Sequence, residues 1–156
     1  MNRTAPVFIS KNKGFTFIEA ILVVVILGIF LGLSTPYLLG AKEKLILQTE
    51  QEKVINNLKL AQQKAMAAYG GYAYKISFLP PDTYALNTDP ETNTETYHLH
   101  PDIDIVSTGG ESEIIFSKVT GTPNINLNLT LESRRFRCEI TVTQGGLIAG
   151  TNPSKK

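Results

Sequence analysis

The sequence has one cysteine, no tryptophan and two histidines in 156 residues. The single cysteine, Cys138, cannot form an internal disulfide, which excludes a small domain held together by disulfide bonds. Basic and acidic side chains almost balance, 15 against 14, so bulk charge gives no case for a nucleic-acid-binding protein. The chain also lacks a phosphate-binding loop, a nucleophile elbow and a paired-carboxylate motif. We therefore expect no catalytic residue, no metal centre and no cofactor.

One segment of the sequence is almost free of charge. Residues 15–33 are apolar except for Thr16 and Glu19. An α-helix of this length spans about 28 Å, close to the hydrocarbon thickness of a bilayer. Basic residues, among them Lys11 and Lys13, precede the segment and indicate a short cytoplasmic leader. A charge within a membrane costs about 2.5 kcal/mol or more, so Glu19 is expected to be functional.

A glycine, an aromatic residue and a carboxylate occur in register at the start of this segment. Gly14 precedes Phe15, Glu19 is the fifth residue after the glycine, and Pro36 ends the apolar run. This arrangement resembles the class III signal of type IV pilins and type II secretion pseudopilins. The resemblance implies that a prepilin peptidase cuts between Gly14 and Phe15 and methylates the new amino group of Phe15.

Two simpler interpretations of the apolar segment stay open. A secretory signal peptide would be cut after the apolar region, and Gly32-Leu33-Ser34 weakly resembles such a site. A plain signal anchor would not be cut, and the chain would be a bitopic protein whose outer domain binds a ligand by itself. Neither interpretation explains Glu19 or the glycine–aromatic step before the apolar run.

Glu19 is the candidate assembly residue. In a filament it would be buried among neighbouring helices, where an unpaired charge costs several kcal/mol. The free amino group of Phe15 on an adjacent subunit could pair with it, and only one axial offset would satisfy both charges. The alternative is local: Glu19 favours the positive end of its own helix, an effect of about 0.3–1 kcal/mol.

Glycine and proline mark the end of the apolar segment. Gly28 and Gly32 form a G-x-x-x-G pair, which permits close helix approach, although glycine is also common in membrane helices. Pro36 removes a backbone donor and crowds the carbonyl of Gly32, so we predict a kink there.

After Pro36 the helical pattern becomes one-sided, which indicates an amphipathic helix that ends at Gly70-Gly71. Charged residues such as Glu50 are expected on its other faces. From Tyr72 onward the period is two, which predicts antiparallel strands. The predicted apolar stripe of the helix comprises Leu47, Val54, Leu58, Ala61, Ala65 and Ala68.

These patterns predict an α+β, pilin-like fold. A long N-terminal helix, transmembrane and then amphipathic, packs on an antiparallel β-sheet. The clearest strands are residues 125–132 and 136–143. The expected organisation is a leader peptide at 1–14, a transmembrane and assembly helix at 15–36, an amphipathic helix at 37–70 and a periplasmic sheet domain at 71–156.

The C-terminal half carries a second, looser resemblance. Ile115-Phe116, Gly121, Ile140-Thr141-Val142 and Gly146-Leu147-Ile148 resemble the GspH/FimT pseudopilin domain. This implies a minor pseudopilin of a type II secretion system or, alternatively, a FimT-like minor type IV pilin acting in pilus biogenesis or DNA uptake. The implied partners are other pseudopilins or pilins and an inner-membrane assembly platform. The implied location is the bacterial inner membrane, with the N-terminus cytoplasmic.

Three further groups have ordinary surface interpretations beside functional ones. A basic cluster could contact DNA phosphates or be a solvated turn and strand edge. His98 and His100 have a spacing at which two imidazoles can share a metal, but zinc needs further ligands. The acidic loop could supply oxygen ligands to calcium. The loop residues are Asp89, Glu91, Asn93 and Glu95, and the basic residues are Arg134, Arg135, Arg137, Lys155 and Lys156.

Overall fold

The computed structural model describes residues 14–89, 93–108 and 111–156. Within these ranges, the side chains of residues 33–38, 89 and 107–108 lie outside the description. Leader residues 1–13 and Glu91 of the acidic loop are therefore outside the described residues. The chain divides into two compact units, Met1–Leu38 and Leu39–Lys156.

The first helix, α1, runs from Phe17 to Met66, and a single 3₁₀ turn follows at Tyr69–Gly71. Ala68 adopts a left-handed conformation with φ 47°, which ends the α-helix before the predicted Gly70-Gly71. The amide of Val119 caps this end by donating to the carbonyl oxygen of Ala65 at 2.9 Å.

In the described ranges, nine strands follow α1, and all of their pairings are antiparallel. They form two sheets, in the orders β3-β2-β1-β5 and β4-β6-β7-β8, with β9 also paired to β7. The strand bounds are β1 Ala73–Leu79, β2 Thr83–Asp89, β3 Thr94–His98, β4 Asp104–Thr108, β5 Glu113–Phe116, β6 Leu127–Glu132, β7 Phe136–Val142, β8 Ile148–Gly150 and β9 Ser154–Lys155.

The α+β class is confirmed, but the single sheet that the sequence predicts is replaced by two. β4 leaves the first sheet to pair with β6, and β5 returns to pair with β1. Alternation along a strand predicts which side chains face the core, but it does not specify which strand lies beside which.

The predicted stripe on α1 forms the centre of the core in the second unit. Leu47, Val54, Leu58, Ala61 and Ala65 are completely buried. They belong to one cluster with apolar residues of both sheets, including Ile76, Phe78, Phe116, Leu129 and Ile140. Each large side chain buried in this way contributes about 1.5–3 kcal/mol.

Two predictions about this helix were wrong. Ala68 is half-buried and lies beyond the end of α1. Glu50, predicted on an exposed face, is 6% exposed and pairs with Lys53 at 2.8 Å. Its burial widens the core-facing side of α1 beyond the apolar stripe, because adjacent Gln51 is buried as well.

Two glutamine side chains of α1 donate hydrogen bonds to the backbone of the second sheet and of its loops. Gln51 Nε2 donates to the carbonyl oxygens of Glu139 and Thr151 at 3.1 and 2.9 Å. Gln62 Nε2 donates to the carbonyl oxygen of Gly146 at 3.0 Å. Gly146 has φ +85°, and a Cβ there would lie 2.8 Å from Gln62 Nε2. This position therefore requires glycine for both its conformation and the close approach of α1.

Candidate functional site

The N-terminus of α1 carries the residues predicted for processing and assembly. Thr16 precedes the first helical residue, and its hydroxyl accepts from the amide of Glu19 at 3.4 Å. The same hydroxyl lies 3.5 Å from Glu19 Oε2, to which it donates. This is one half of a capping box: the threonine oxygen accepts from the amide three residues later, while the glutamate bonds the threonine hydroxyl instead of its backbone amide. The Thr16-x-x-Glu19 spacing could have predicted it.

The local arrangement leaves Glu19 exposed and available. Its side chain contacts Thr16, and among the described residues it forms no ion pair. Phe15 is 72% exposed, and no atom lies within 4 Å of the position that a Cβ would take at Gly14. The Gly14–Phe15 bond is thus unobstructed by the described part of the chain.

The apolar residues after Glu19 are exposed on every face of the helix. All residues from 14 to 32 are exposed, and the large apolar side chains among them range from 42% at Val23 to 83% at Phe17. A helix that is apolar all round is normally covered by other protein or by lipid. Within the described residues, however, we find no helix that is both long and apolar enough to cross a membrane.

Of the three residues predicted to bend this segment, the structure describes Gly28 and Gly32 fully and only the backbone of Pro36. At Gly28 and Gly32, an added Cβ would meet no atom within 4 Å. Among the described residues, packing therefore gives no reason for the two glycines. α1 is continuous through Pro36, whose side chain lies outside the described residues, so the kink stays a prediction.

The basic residues predicted to contact DNA fall into two groups. Arg135 Nε lies 3.7 Å from Glu43 Oε2, and Lys156 Nζ lies 2.6 Å from Glu132 Oε2. These two ion pairs reduce the net positive charge of the cluster. The other three members are exposed and form no ion pair with any described residue: Arg134, Arg137 and Lys155.

Glu43 connects α1 to the turn between β6 and β7. Its Oε1 accepts from Ser133 Oγ at 3.0 Å and from the amide of Arg135 at 2.8 Å. The sequence separation of about ninety residues hides this contact from any local pattern. Glu43 therefore orients Arg135. A search of the sequence for basic clusters does not reveal this contact.

Beside this contact lies an open cleft of about 710 Å³, which we call the two-sign cleft. Its basic lining residues on α1 and the β6–β7 turn are called the cationic wall, and its acidic lining residues, in the loop after β3 and at the first residue of β4, are called the acidic wall. Arg135 and Glu43 also line the cleft. The cationic wall contains Lys42 and Arg134, and the acidic wall contains Asp102 and Asp104.

The candidate metal ligands do not converge. His98 Nδ1 bonds with Thr83 Oγ1 at 3.0 Å, and His100 Nδ1 lies 3.6 Å from Asp102 Oδ2. In the described ranges, no group of three or more histidine, cysteine or acidic side chains could hold a metal ion. Of the acidic loop, Glu91 and the side chain of Asp89 lie outside the described residues, so the calcium hypothesis stays untested.

Cys138 is buried on the inner face of β7, as its alternation with exposed neighbours predicts. Burial raises the pKa of its thiol to about 12, and the neighbouring carboxylate of Glu139 adds to the shift. A thiol of this kind is protonated at neutral pH and is not a nucleophile.

The first sheet carries a tyrosine cluster that the sequence patterns did not predict. Tyr84 and Tyr97 stack at 5.2 Å between ring centroids, and Asn57 Nδ2 donates to the hydroxyl of Tyr84 at 2.7 Å. Tyr97 donates to Glu95 Oε2 at 2.7 Å, and this bond, together with burial, raises the pKa of Tyr97 to about 12. Tyr84 and Tyr97 oppose each other on β2 and β3, which sequence spacing alone does not reveal.

Comparison with known proteins gives one match. Residues 9–35 match the profile of a family described as the prokaryotic N-terminal methylation motif. No curated protein and no solved structure matches the chain. The matched range contains Gly14, Phe15 and Glu19, so the chain carries a prepilin-type leader motif. This motif indicates a type IV pilin-like or pseudopilin chain, a structural subunit that a prepilin peptidase processes.

Proposed function

We propose that the protein is a minor pseudopilin of a type II secretion system, a structural subunit that supports protein export across the outer membrane. The observation that carries the proposal is the exposure of every apolar side chain from 15 to 32 immediately behind the leader motif. Such a surface needs an environment that the described residues do not provide. A lipid bilayer, followed by neighbouring subunits, provides it.

Processing precedes assembly in this proposal. The prepilin peptidase removes residues 1–14 and methylates the amino group of Phe15. The mature chain stays in the bacterial inner membrane through residues 15–36, with its sheet domain in the periplasm. An assembly platform in the same membrane then transfers it into the pseudopilus.

Glu19 provides the register of assembly. Its carboxylate has only the Thr16 hydroxyl as a partner in the described chain, and that bond is long. Burial among other subunits therefore requires a cation, and the Phe15 ammonium of an adjacent subunit supplies it. Gly28, Gly32 and Pro36 provide a segment that can bend as the helix leaves the lipid.

The alternative is a FimT-like minor type IV pilin that acts in pilus biogenesis or DNA uptake. It is supported by the exposure of Arg134, Arg137 and Lys155 near one end of the second sheet. Against it, Arg135 and Lys156 are paired with carboxylates, which lowers the charge available to a phosphate backbone.

One experiment separates the two functions. The gene is deleted in the source organism, and secretion of folded exoproteins, pilus number and transformation frequency are measured together. We expect loss of secretion with normal piliation and transformation, restored by the wild-type gene. Lost piliation or transformation with intact secretion would assign the chain to a type IV pilus instead.

A further inference from the structure

The two-sign cleft has a position and a charge pattern that no part of the proposed assembly role uses. We propose that it binds the headgroup of a zwitterionic aminophospholipid, a phosphodiester that carries a primary ammonium group. In this proposal Lys42 and Arg134 contact the phosphate, while Asp102 and Asp104 contact the ammonium. The inference rests on the proposed function, because it requires residues 15–36 to span the membrane.

The cleft includes residues that lie close in sequence to the apolar segment. Leu39 and Lys42 line the cleft and follow Pro36 by three and six residues. In a chain anchored through residues 15–36, residues this near in sequence to the anchor are expected in the interfacial layer, where the lipid headgroups are.

Arg135 lies beside α1 at the cationic wall. Its Nη1 lies 3.9 Å from the position that a Cβ would take at Gly40. Glu43 accepts a hydrogen bond from the Arg135 amide and lies beside its Nε. Arg135 is thus held against α1 and, because it pairs with Glu43, is not one of the free cations of the wall.

The charge balance favours a zwitterionic ligand over an anionic one. Lys42 and Arg134 are exposed and form no ion pair with any described residue, whereas Arg135 pairs with Glu43. The acidic wall carries two exposed carboxylates, of which Asp102 lies beside His100. A phosphate with no cation of its own would meet repulsion from this wall. A headgroup with both charges matches both walls through charge-assisted hydrogen bonds.

The test uses the full mature chain in detergent and counts bound lipids by native mass spectrometry. Phosphatidylethanolamine, phosphatidylcholine and phosphatidylglycerol with identical acyl chains are titrated separately. We expect ethanolamine lipid to bind tighter by on the order of tenfold, the change that 1.4 kcal/mol produces. Equal binding of all three lipids would overturn the proposal. A preference for phosphatidylglycerol would also overturn it, because the cleft would then favour an anionic headgroup over a zwitterionic one.

Two double variants test the walls separately. Lys42→Gln with Arg134→Gln should weaken binding of all three lipids, because each contains the phosphate. Asp102→Asn with Asp104→Asn should remove the preference for ethanolamine over choline and leave phosphate binding intact. Lys59→Gln with Arg137→Gln removes two exposed cations outside the cleft and should change nothing. All six side chains are exposed, so unchanged circular dichroism is expected and separates lost binding from lost folding.

Three further measurements identify the source of the ligand. Soluble glycerophosphoethanolamine should not compete, and full competition would contradict a membrane ligand. Duplex DNA binding is measured for the wild type and for the Lys42→Gln, Arg134→Gln variant. If the variant binds DNA more weakly but binds lipid as the wild type does, the cationic wall is a nucleic-acid site and the proposal is wrong. Release of the wild-type chain from membranes by alkaline carbonate would refute the proposed membrane anchoring itself. A chain that stays in the membrane but shows no lipid preference would refute only the present inference.

Discussion

The two parts of α1 share one conformation and have opposite surroundings. From residue 15 to residue 32 every apolar side chain is exposed, whereas Leu47, Val54, Leu58 and Ala61 are completely buried. The second part finds its apolar partners within the same chain, on two sheets. The first part has no such partners among the described residues. The difference teaches that folding of the second unit explains the burial of one part, whereas contacts within the described chain do not account for the other, for which we propose membrane insertion and assembly.

Removing the first part should produce the largest change. A chain that begins at Leu39 retains the whole second unit, its core cluster and the Glu43 contacts. We expect it to be soluble, monomeric and folded, while the mature full-length chain sediments with membranes. Ultracentrifugation and circular dichroism measure both properties. Aggregation or an unfolded spectrum would mean that the two parts of α1 do not differ as described.

Glu19→Gln tests whether other subunits supply the partners that the first part of α1 lacks among the described residues. The substitution keeps the size of the side chain and removes its charge, so the Phe15 ammonium of a neighbour loses its buried partner. The expected penalty is about 3–5 kcal/mol. Copurification with other pilin-like subunits should fall sharply while membrane insertion and processing continue. Glu19→Asp is the matched control, and assembly of the Gln variant at the wild-type level would leave Glu19 with a capping role only.

Leu58→Ala and Leu27→Ala compare the same substitution in the two parts. Leu58 is completely buried and Leu27 is 55% exposed. We expect Leu58→Ala to lower the free energy of unfolding of the sheet domain by about 2–5 kcal/mol through lost burial and a cavity. Leu27→Ala should leave it within about 0.5 kcal/mol. Denaturant titration of both chains in the same detergent measures the difference, and equal effects would contradict the proposed division.

Gln51→Ala should produce a smaller change. It removes the two hydrogen bonds that Gln51 donates to the carbonyl oxygens of Glu139 and Thr151, so each oxygen loses one donor. The expected loss is about 1–3 kcal/mol in the free energy of unfolding. Gln63→Ala on the exposed face of α1 is the control, and it should be nearly neutral. Equal stability of the two variants would show that the buried glutamine does not fasten α1.

Sequence reasoning succeeded where the information is local. The stripe from Leu47 to Ala65 follows helical periodicity, and the apolar residues of β6 and β7 alternate, so their inner faces were predictable. Thr130, on the polar face of β6, is buried as well, which the alternation does not predict. The Thr16-x-x-Glu19 cap was equally local and was overlooked. β9 was missed because two residues, Ser154 and Lys155, cannot display alternation.

The remainder depends on contacts between distant residues. The division into two sheets is decided by which strands pair, and alternation carries no information on that choice. The bond between Glu43 and Arg135 joins positions 92 residues apart. The burial of Glu50 and adjacent Gln51 depends on packing around α1, since two polar residues between exposed Thr49 and Glu52 give no local signal of burial.

The central claim is that the exposed part of α1 begins at a processed residue and enters the membrane. Intact mass spectrometry of the protein extracted from membranes of its source tests this most directly. We expect a chain that begins at Phe15 and carries one methyl group on its amino terminus, and a Gly14→Trp variant that retains residues 1–14. An intact wild-type leader, or a cut near Ser34, would contradict the account.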